Sequence, residues 1–193
     1  RSAKVTTISS QSKRDIVNLN GCHENHVVVV PIFVSENFVP PSVETKNEKF
    51  VILHVGTKAN KNLSRTIKAV AKLNCKLNIV GRLNQRQLTE LKELNIDFEN
   101  FIDATEDQLI TIYQQSDMLS FVSLEEGFGL PILEAQRSGL PVMTSQIAAM
   151  PETAGEGALL VDPFKIDAIR EGIQTIMAEE DFRQSLIQRG FEN

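Results

Sequence analysis

Short apolar runs alternate along the chain with segments whose apolar residues recur every three or four positions. The runs at 50–55 (FVILHV), 77–80 (LNIV), 118–122 (MLSFV), 141–144 (PVMT) and 158–161 (ALLV), with a weaker one at 98–102 (FENFI), have strand length. They are too continuous for half-exposed strands and predict a sheet buried on both faces. Between them, Leu63, Ile67, Val70 and Ala71, then Leu88 and Leu91, then Leu109, Ile112 and Tyr113, and finally Ile166, Ile169, Ile173 and Ile176 fall on single helical faces.

Local signals agree with this reading. Asn84 with Gln87, and Thr105 with Gln108, have capping-box spacing at the starts of two of these helices. Pro131 opens the helix-like stretch 131–138, and Gly139 stops it. Near the start, 5–9 (VTTIS) and 27–30 (VVVV) bracket a polar, helix-compatible stretch at 12–19, which reads as strand-helix-strand. The segment 40–48, with its paired prolines and no apolar period, reads as a loop or hinge. The expected fold is therefore α/β, a Rossmann-like doubly wound parallel sheet, with ligands at the carboxyl ends of the strands.

Composition narrows the function classes. With 193 residues, 41% hydrophobic and 23% charged, the chain is an ordinary globular one with a single main core. A net charge of -5 disfavours nucleic acid as a partner. The two cysteines, Cys22 and Cys75, have no metal-ligand spacing and make neither a disulfide framework nor a metal site. Neither a membrane-spanning run nor a signal-peptide core is present in the sequence, so a cytoplasmic location is the default expectation. Of the three histidines, His23 and His26 lie in a polar loop, and His54 is expected to be a buried, hydrogen-bonded strand residue.

The segment 123–135 (SLEEGFGLPILEA) carries the chemistry. Gly127 and Gly129 let a backbone turn tightly against a ligand, and Pro131 starts a helix whose free N–H groups and dipole suit a diphosphate. Glu126 at the loop mouth and Glu134 in the helix, separated by seven residues, can face one pocket from different heights and accept hydroxyl hydrogens. The alternative is a structural turn with two surface glutamates.

EGFGLPILEA is similar to the signature of glycosyltransferase family 4, retaining enzymes of GT-B fold. The resemblance extends through LNIVGR at 77–82, FIDATEDQLITIYQQSDMLSFVS at 101–123 and GLPVMTSQIAAMPETAGEGALLVDP at 139–163. It implies that Glu126 contacts donor-sugar hydroxyls as the catalytic carboxylate and that Glu134 contacts the ribose, with Gly127, Phe128, Gly129 and Leu130 lining diphosphate and sugar. The loop 56–63 (GTKANKNL) resembles the family's glycine-then-Lys-Asn loop, giving Lys61 the diphosphate; where many members carry an arginine, this sequence has Thr57 and Asn60, and Lys58 is a candidate substitute. Ile102 is implied near the base and Arg82 near the donor pocket, against the alternatives of strand packing and surface exposure. Glu152, in a turn that also matches, is expected to be solvated or to cap a helix.

The same resemblance divides the chain into a strand-helix-strand remnant of an acceptor domain at 1–33, where SSQSKRD at 9–15 matches a family pattern, a hinge at 34–48, and a C-terminal donor-binding domain at 49–193 whose final crossover helix lies outside this sequence. It implies a nucleotide-diphosphate sugar (UDP-, GDP- or ADP-linked) as substrate, no cofactor and no metal, and a saccharide or glycolipid acceptor. Further implied partners are the remainder of the N-terminal domain, a second copy through the exposed remnant, and a membrane surface for the parent enzyme. Such a chain would be inactive alone. A Rossmann-like binding or regulatory module and another GT-B enzyme, such as a sugar-nucleotide epimerase or phosphorylase, stand as alternatives. A dinucleotide oxidoreductase is disfavoured because no GxGxxG follows a strand.

Overall fold

The structure is a computed structural model that describes residues 4–42 and 47–193. It begins with strand β1 (Val5–Thr7), helix α1 (Ser10–Asn20) and strand β2 (Val27–Val29), and β1 and β2 pair in parallel as a two-stranded sheet. Ser9 caps α1 by accepting from the Ser12 amide, and Gly21 closes it in the left-handed region. Residues 30–42 and 47–49 contain no helix or strand, and the rest of the expected hinge, 43–46, lies outside the described residues. Phe38 anchors this segment: it is 3% exposed and stands edge-on to the Tyr113 ring, 5.4 Å between centroids.

The remainder alternates as expected: β3 (Phe50–Val55), α2 (Leu63–Val70), β4 (Cys75–Val80), α3 (Gln85–Glu93), β5 (Phe98–Phe101), α4 (Glu106–Gln114), β6 (Met118–Phe121), α5 (Leu130–Arg137), β7 (Val142–Ser145), α6 (Met150–Ala154), β8 (Ala158–Val161), α7 (Ile166–Ala178) and α8 (Glu180–Glu192). Both capping boxes form, with the Asn84 and Gln87 pair starting α3 and the Thr105 and Gln108 pair starting α4. The six strands β3 to β8 make one parallel sheet in the order β5-β4-β3-β6-β7-β8. Winding proceeds outward from β3 in one direction and from β6 in the other, so the strand order reverses between them, where Ile52 lies opposite Met118. A crevice opens at the carboxyl ends of two strands whose connections leave in opposite directions.

Alternating side chains of the buried strands feed two cores. Ile52, Leu77, Ile79 and Met118 pack with Leu63 and Ile67 of α2 and Ile169 and Ile173 of α7. Leu53, Leu119, Phe121 and Val142 pack with Ile112 and Tyr113 of α4, Ile132 of α5 and Met150 of α6. The sheet is thus covered on both faces, as continuous apolar strands require. Two helices go beyond the sequence reading. α6 forms where only a turn was expected, and α8 continues the chain after α7 with a weak apolar face that buries Leu186 and Gly190 alone. Among the described residues, no helix is long and apolar enough to cross a membrane.

Candidate functional site

The loop leaving β3 is shaped by one glycine. Gly56 has φ of +96°, and a Cβ there would lie 2.8 Å from both Cγ and Cε of Lys61. The lysine stem therefore crosses the space a side chain would fill. Lys61 ends a short 3-10 turn, Ala59–Lys61, and its ammonium stands 4.7 Å from the centre of the Phe121 ring, a cation–π position. The next residue fixes the turn: Asn62 has φ of +63°, is 5% exposed, and its amide donates to the carbonyls of Val122 (3.0 Å) and Pro163 (2.8 Å). Each such buried bond contributes about 1 kcal/mol, and an unmet partner would cost more.

The loop leaving β6 is fastened to the first one. The Leu124 amide donates to the Asn60 carbonyl (2.7 Å), and the Asn60 side-chain amide donates to the Glu125 carbonyl (2.9 Å) and to Oε1 of Glu126 (3.3 Å). Lys61 Nζ then meets the same Glu126 oxygen at 2.7 Å, and the two side chains are only 19% and 15% exposed. Gly129, with φ of +101° and buried, begins α5, where no side chain caps the first turn and Pro131 occupies the opening positions. The helix start with its uncapped N–H groups thus faces the carboxyl edge of the sheet, beside a lysine.

One turn into α5, Glu134 is 9% exposed and accepts a 2.6 Å hydrogen bond from the Tyr113 hydroxyl. Burial raises its pKa above the usual carboxylate range; the Tyr113 bond opposes that, the Glu106 charge adds to it, and the Lys61 charge opposes it. The Tyr113 hydroxyl is itself held well above the usual phenol range by burial and by the Glu134 charge and bond. Lys61 therefore reaches both carboxylates, one by contact and one through space.

The other sequence-predicted residues make no side-chain hydrogen bond or ion pair with Lys61 or Glu126. Thr57 Oγ1 donates to the Arg82 carbonyl at 2.8 Å, while the Arg82 guanidinium is largely exposed and contacts Asp103 at 3.1 Å. Ile102 is 47% exposed and lines a cavity of about 390 Å³ together with Phe101, Ala104, Gln108 and Ile112. Lys58 is exposed at the start of the 3-10 turn, Leu130 is half-buried at the start of α5, and Gly127 is exposed at the loop tip. Neighbours hold the loop's backbone: the Gly127 carbonyl accepts from Ser12 Oγ of α1 (3.2 Å), and the Phe128 carbonyl accepts from Thr153 Oγ1 of α6 (2.5 Å).

Glu152 has the capping role expected of it, on a helix distant in sequence. Both of its oxygens accept from the Ser10 amide at the start of α1, 2.9 and 3.0 Å away. Partial burial alone would raise its pKa, but the Ser10 and Gln11 amides and the Arg14 charge outweigh this and lower it. His54 is buried in β3 as expected, at 1% exposure, yet neither ring nitrogen makes a well-formed hydrogen bond. That corrects the expectation of a hydrogen-bonded imidazole: the ring points into a core built by strand packing, and the nearby backbones of Gly56 and Ser120 only weakly oppose the fall of its pKa to about 4, which burial and the Lys61 charge cause. Among the described residues, no group of three or more His, Cys, Asp or Glu could hold a metal ion.

Asn60, Asn62 and Tyr113 were not singled out from the sequence as parts of the site. Asn60 was visible only as a place where an arginine was wanting, and Tyr113 only as one apolar position on a helical face.

Fold and site together define a doubly wound, Rossmann-like domain, with a lysine, two glutamates and a glycine-bounded helix start carried on the loops at its switch point. The chain belongs to the glycosyl transferases group 1 family, whose model matches residues 35–193. It is 26% identical over 177 residues, 86% of this chain and 43% of the relative, to the MMP alpha-(1->4)-mannosyltransferase of Mycolicibacterium hassiacum. Sucrose-phosphate synthase from Thermosynechococcus elongatus has the same fold over the whole chain and 53% of its own, at a TM-score of 0.87 and 20% identity. The Anabaena protein HepE, solved with UDP and glucose, superposes over 98% of this chain and 57% of its own at 0.80 and 17%. The chain spans less than half the length of the curated relatives it matches.

Proposed function

We propose that this chain is the donor-binding half of a retaining glycosyltransferase of family 4, which moves a sugar from a nucleotide-diphosphate donor to a saccharide or glycoconjugate acceptor. The observation that carries the reading is the Lys61–Glu126 pair on the two loops at the switch point, the second of which leads into the uncapped start of α5, with Glu134 buried one turn into that helix. An ammonium and a helix start suit the diphosphate. Glu126 suits the sugar hydroxyls, and Glu134 suits the ribose. Thr57, Lys58, Gly127, Phe128, Gly129 and Leu130 line the diphosphate and sugar, Ile102 stands towards the base, and Arg82 lies close to the donor pocket. UDP-, GDP- and ADP-sugars all fit this description.

Residues 49–193 are the donor domain in this reading, 34–48 the hinge, and 1–33 part of the acceptor domain. The chain alone binds donor without turning it over, because closure against a second wall is what brings the acceptor to the sugar. In the complete enzyme the bond from the anomeric carbon to the diphosphate oxygen breaks as the acceptor oxygen bonds to that carbon on the same face. The acceptor proton passes to the leaving phosphate, so no protein base is required. Lys61 and the helix start offset the charge that develops on the phosphate. A cytoplasmic enzyme acting at a membrane surface agrees with the acceptor class.

Calorimetric titration of the chain with UDP, GDP, ADP and NAD, with and without magnesium, tests the reading. Selective, metal-independent binding of one nucleoside diphosphate is expected, weakened at least about tenfold by Glu134→Ala, in proportion to the loss of a charge-assisted hydrogen bond. Binding of NAD alone, or of nothing by a folded chain, would refute it. In the full-length enzyme, Glu126→Ala should abolish turnover.

A further inference from the structure

The pair that carries the proposed function also has a consequence for what leaves the site. In this chain Lys61 is already engaged by Glu126: its ammonium is 2.7 Å from Oε1, both side chains are largely shielded from water, and any charge shared with a carboxylate at that distance weakens its hold on a diphosphate. The lysine is aimed at the switch-point crevice, since its stem crosses Gly56 and its head stands over Phe121, so a ligand must draw on the ammonium where it stands. Glu126 is likewise fixed. Asn60 holds it at 3.3 Å through a side-chain amide whose second bond, to the Glu125 carbonyl, ties the loop in place. A shielded carboxylate deprived of its cation is strongly disfavoured unless other donors replace that cation.

We propose that Glu126 and the product nucleoside diphosphate compete for Lys61, so that the ion pair re-forms once the sugar has gone and drives the diphosphate out. This rests on the reading of Glu126 as the sugar-binding carboxylate. With sugar present, its hydroxyls satisfy Glu126 and release Lys61 to the phosphates. With the sugar transferred, Glu126 has lost those donors, and the resting partner of Lys61 returns. The same residue thereby selects for a sugar-bearing ligand and against the spent one, and Asn60 is the positioning residue that keeps Glu126 within reach in both states.

A double-mutant cycle on nucleoside diphosphate binding isolates the competition. Affinities of UDP and GDP are measured by calorimetry at low ionic strength for the wild type, Lys61→Ala, Glu126→Gln and the double variant, each first checked for an unchanged thermal melt. Simple repulsion between Glu126 and the diphosphate cancels in this comparison, leaving the Lys61–Glu126 term. Glu126→Gln should bind the diphosphate more tightly than the wild type. Lys61→Ala should weaken binding about tenfold more in the Glu126→Gln background than in the wild type, the scale of coupling between contacting residues. Equal losses in both backgrounds would overturn the competition while leaving the donor site intact. Absence of nucleotide binding in all four folded proteins would sink the donor-site reading and the competition with it.

Discussion

At the scale of single residues, His54 gives the chain a specific acid sensitivity. Its folded pKa of about 4 lies below the ordinary imidazole value of 6.5, because burial and the Lys61 charge disfavour the cation. The unfolded chain therefore takes up the proton first, and stability that is complete above pH 6.5 is lost as pH falls through about 4. The loss amounts to roughly 3 kcal/mol. Urea unfolding at pH 7.5 and pH 4.5 should show a larger drop for the wild type than for His54→Leu; equal drops would mean that the imidazole is protonated without penalty. The sequence revealed the burial of this residue through its place in an apolar run, but not its unmet nitrogens, which depend on how neighbouring strands are set. The same limit applies to the site. Lys61, Glu126 and Glu134 could be read from motifs local in sequence, whereas the bond from Tyr113 to Glu134 and the grip of Asn60 on Glu126 join segments 21 and 66 residues apart.

At the scale of elements, α1 depends on a residue far from it in sequence. No acidic residue stands in its first turn and none of its residues is buried, so Glu152 of α6 supplies the negative charge that complements its N-terminus. Glu152→Ala should weaken α1 by about 0.5–1 kcal/mol, the usual value of an exposed cap. Hydrogen exchange at residues 10–20 should accelerate severalfold while the strands of the main sheet keep their protection; uniform acceleration would show instead that α6 had been disrupted. Helices with strong local signals were legible from the sequence: α3 and α4 announce themselves through capping boxes, and α7 through its stripe of isoleucines. α8 was not, because it carries a glycine and few apolar residues and is held by packing on α5, where Gly190 meets Gln136. The strand β4 also begins earlier than its apolar run, at Cys75, with Lys76 paired to Glu99 of β5 across the sheet at 2.6 Å.

At the scale of the molecule, the six-stranded sheet is covered on both faces while the β1–β2 pair is not. Among the described residues, Leu19, Val30 and Phe33 are 83%, 53% and 88% exposed, and each of these two strands pairs only with the other. Open strand edges beside apolar side chains favour association. Sedimentation velocity should show this chain shifting towards dimers as concentration rises, and Val30→Lys with Phe33→Lys should suppress the shift; a monomer at every concentration would contradict it. The two loops of the candidate site are bonded to each other by Leu124, Asn60, Glu125 and Glu126. For evolution they constitute one heritable module. A substitution of Asn60 alone would lose both side-chain bonds to the second loop, so lasting change in either loop should arise through paired substitutions, and a graft into a related scaffold should succeed only when both loops are transplanted together.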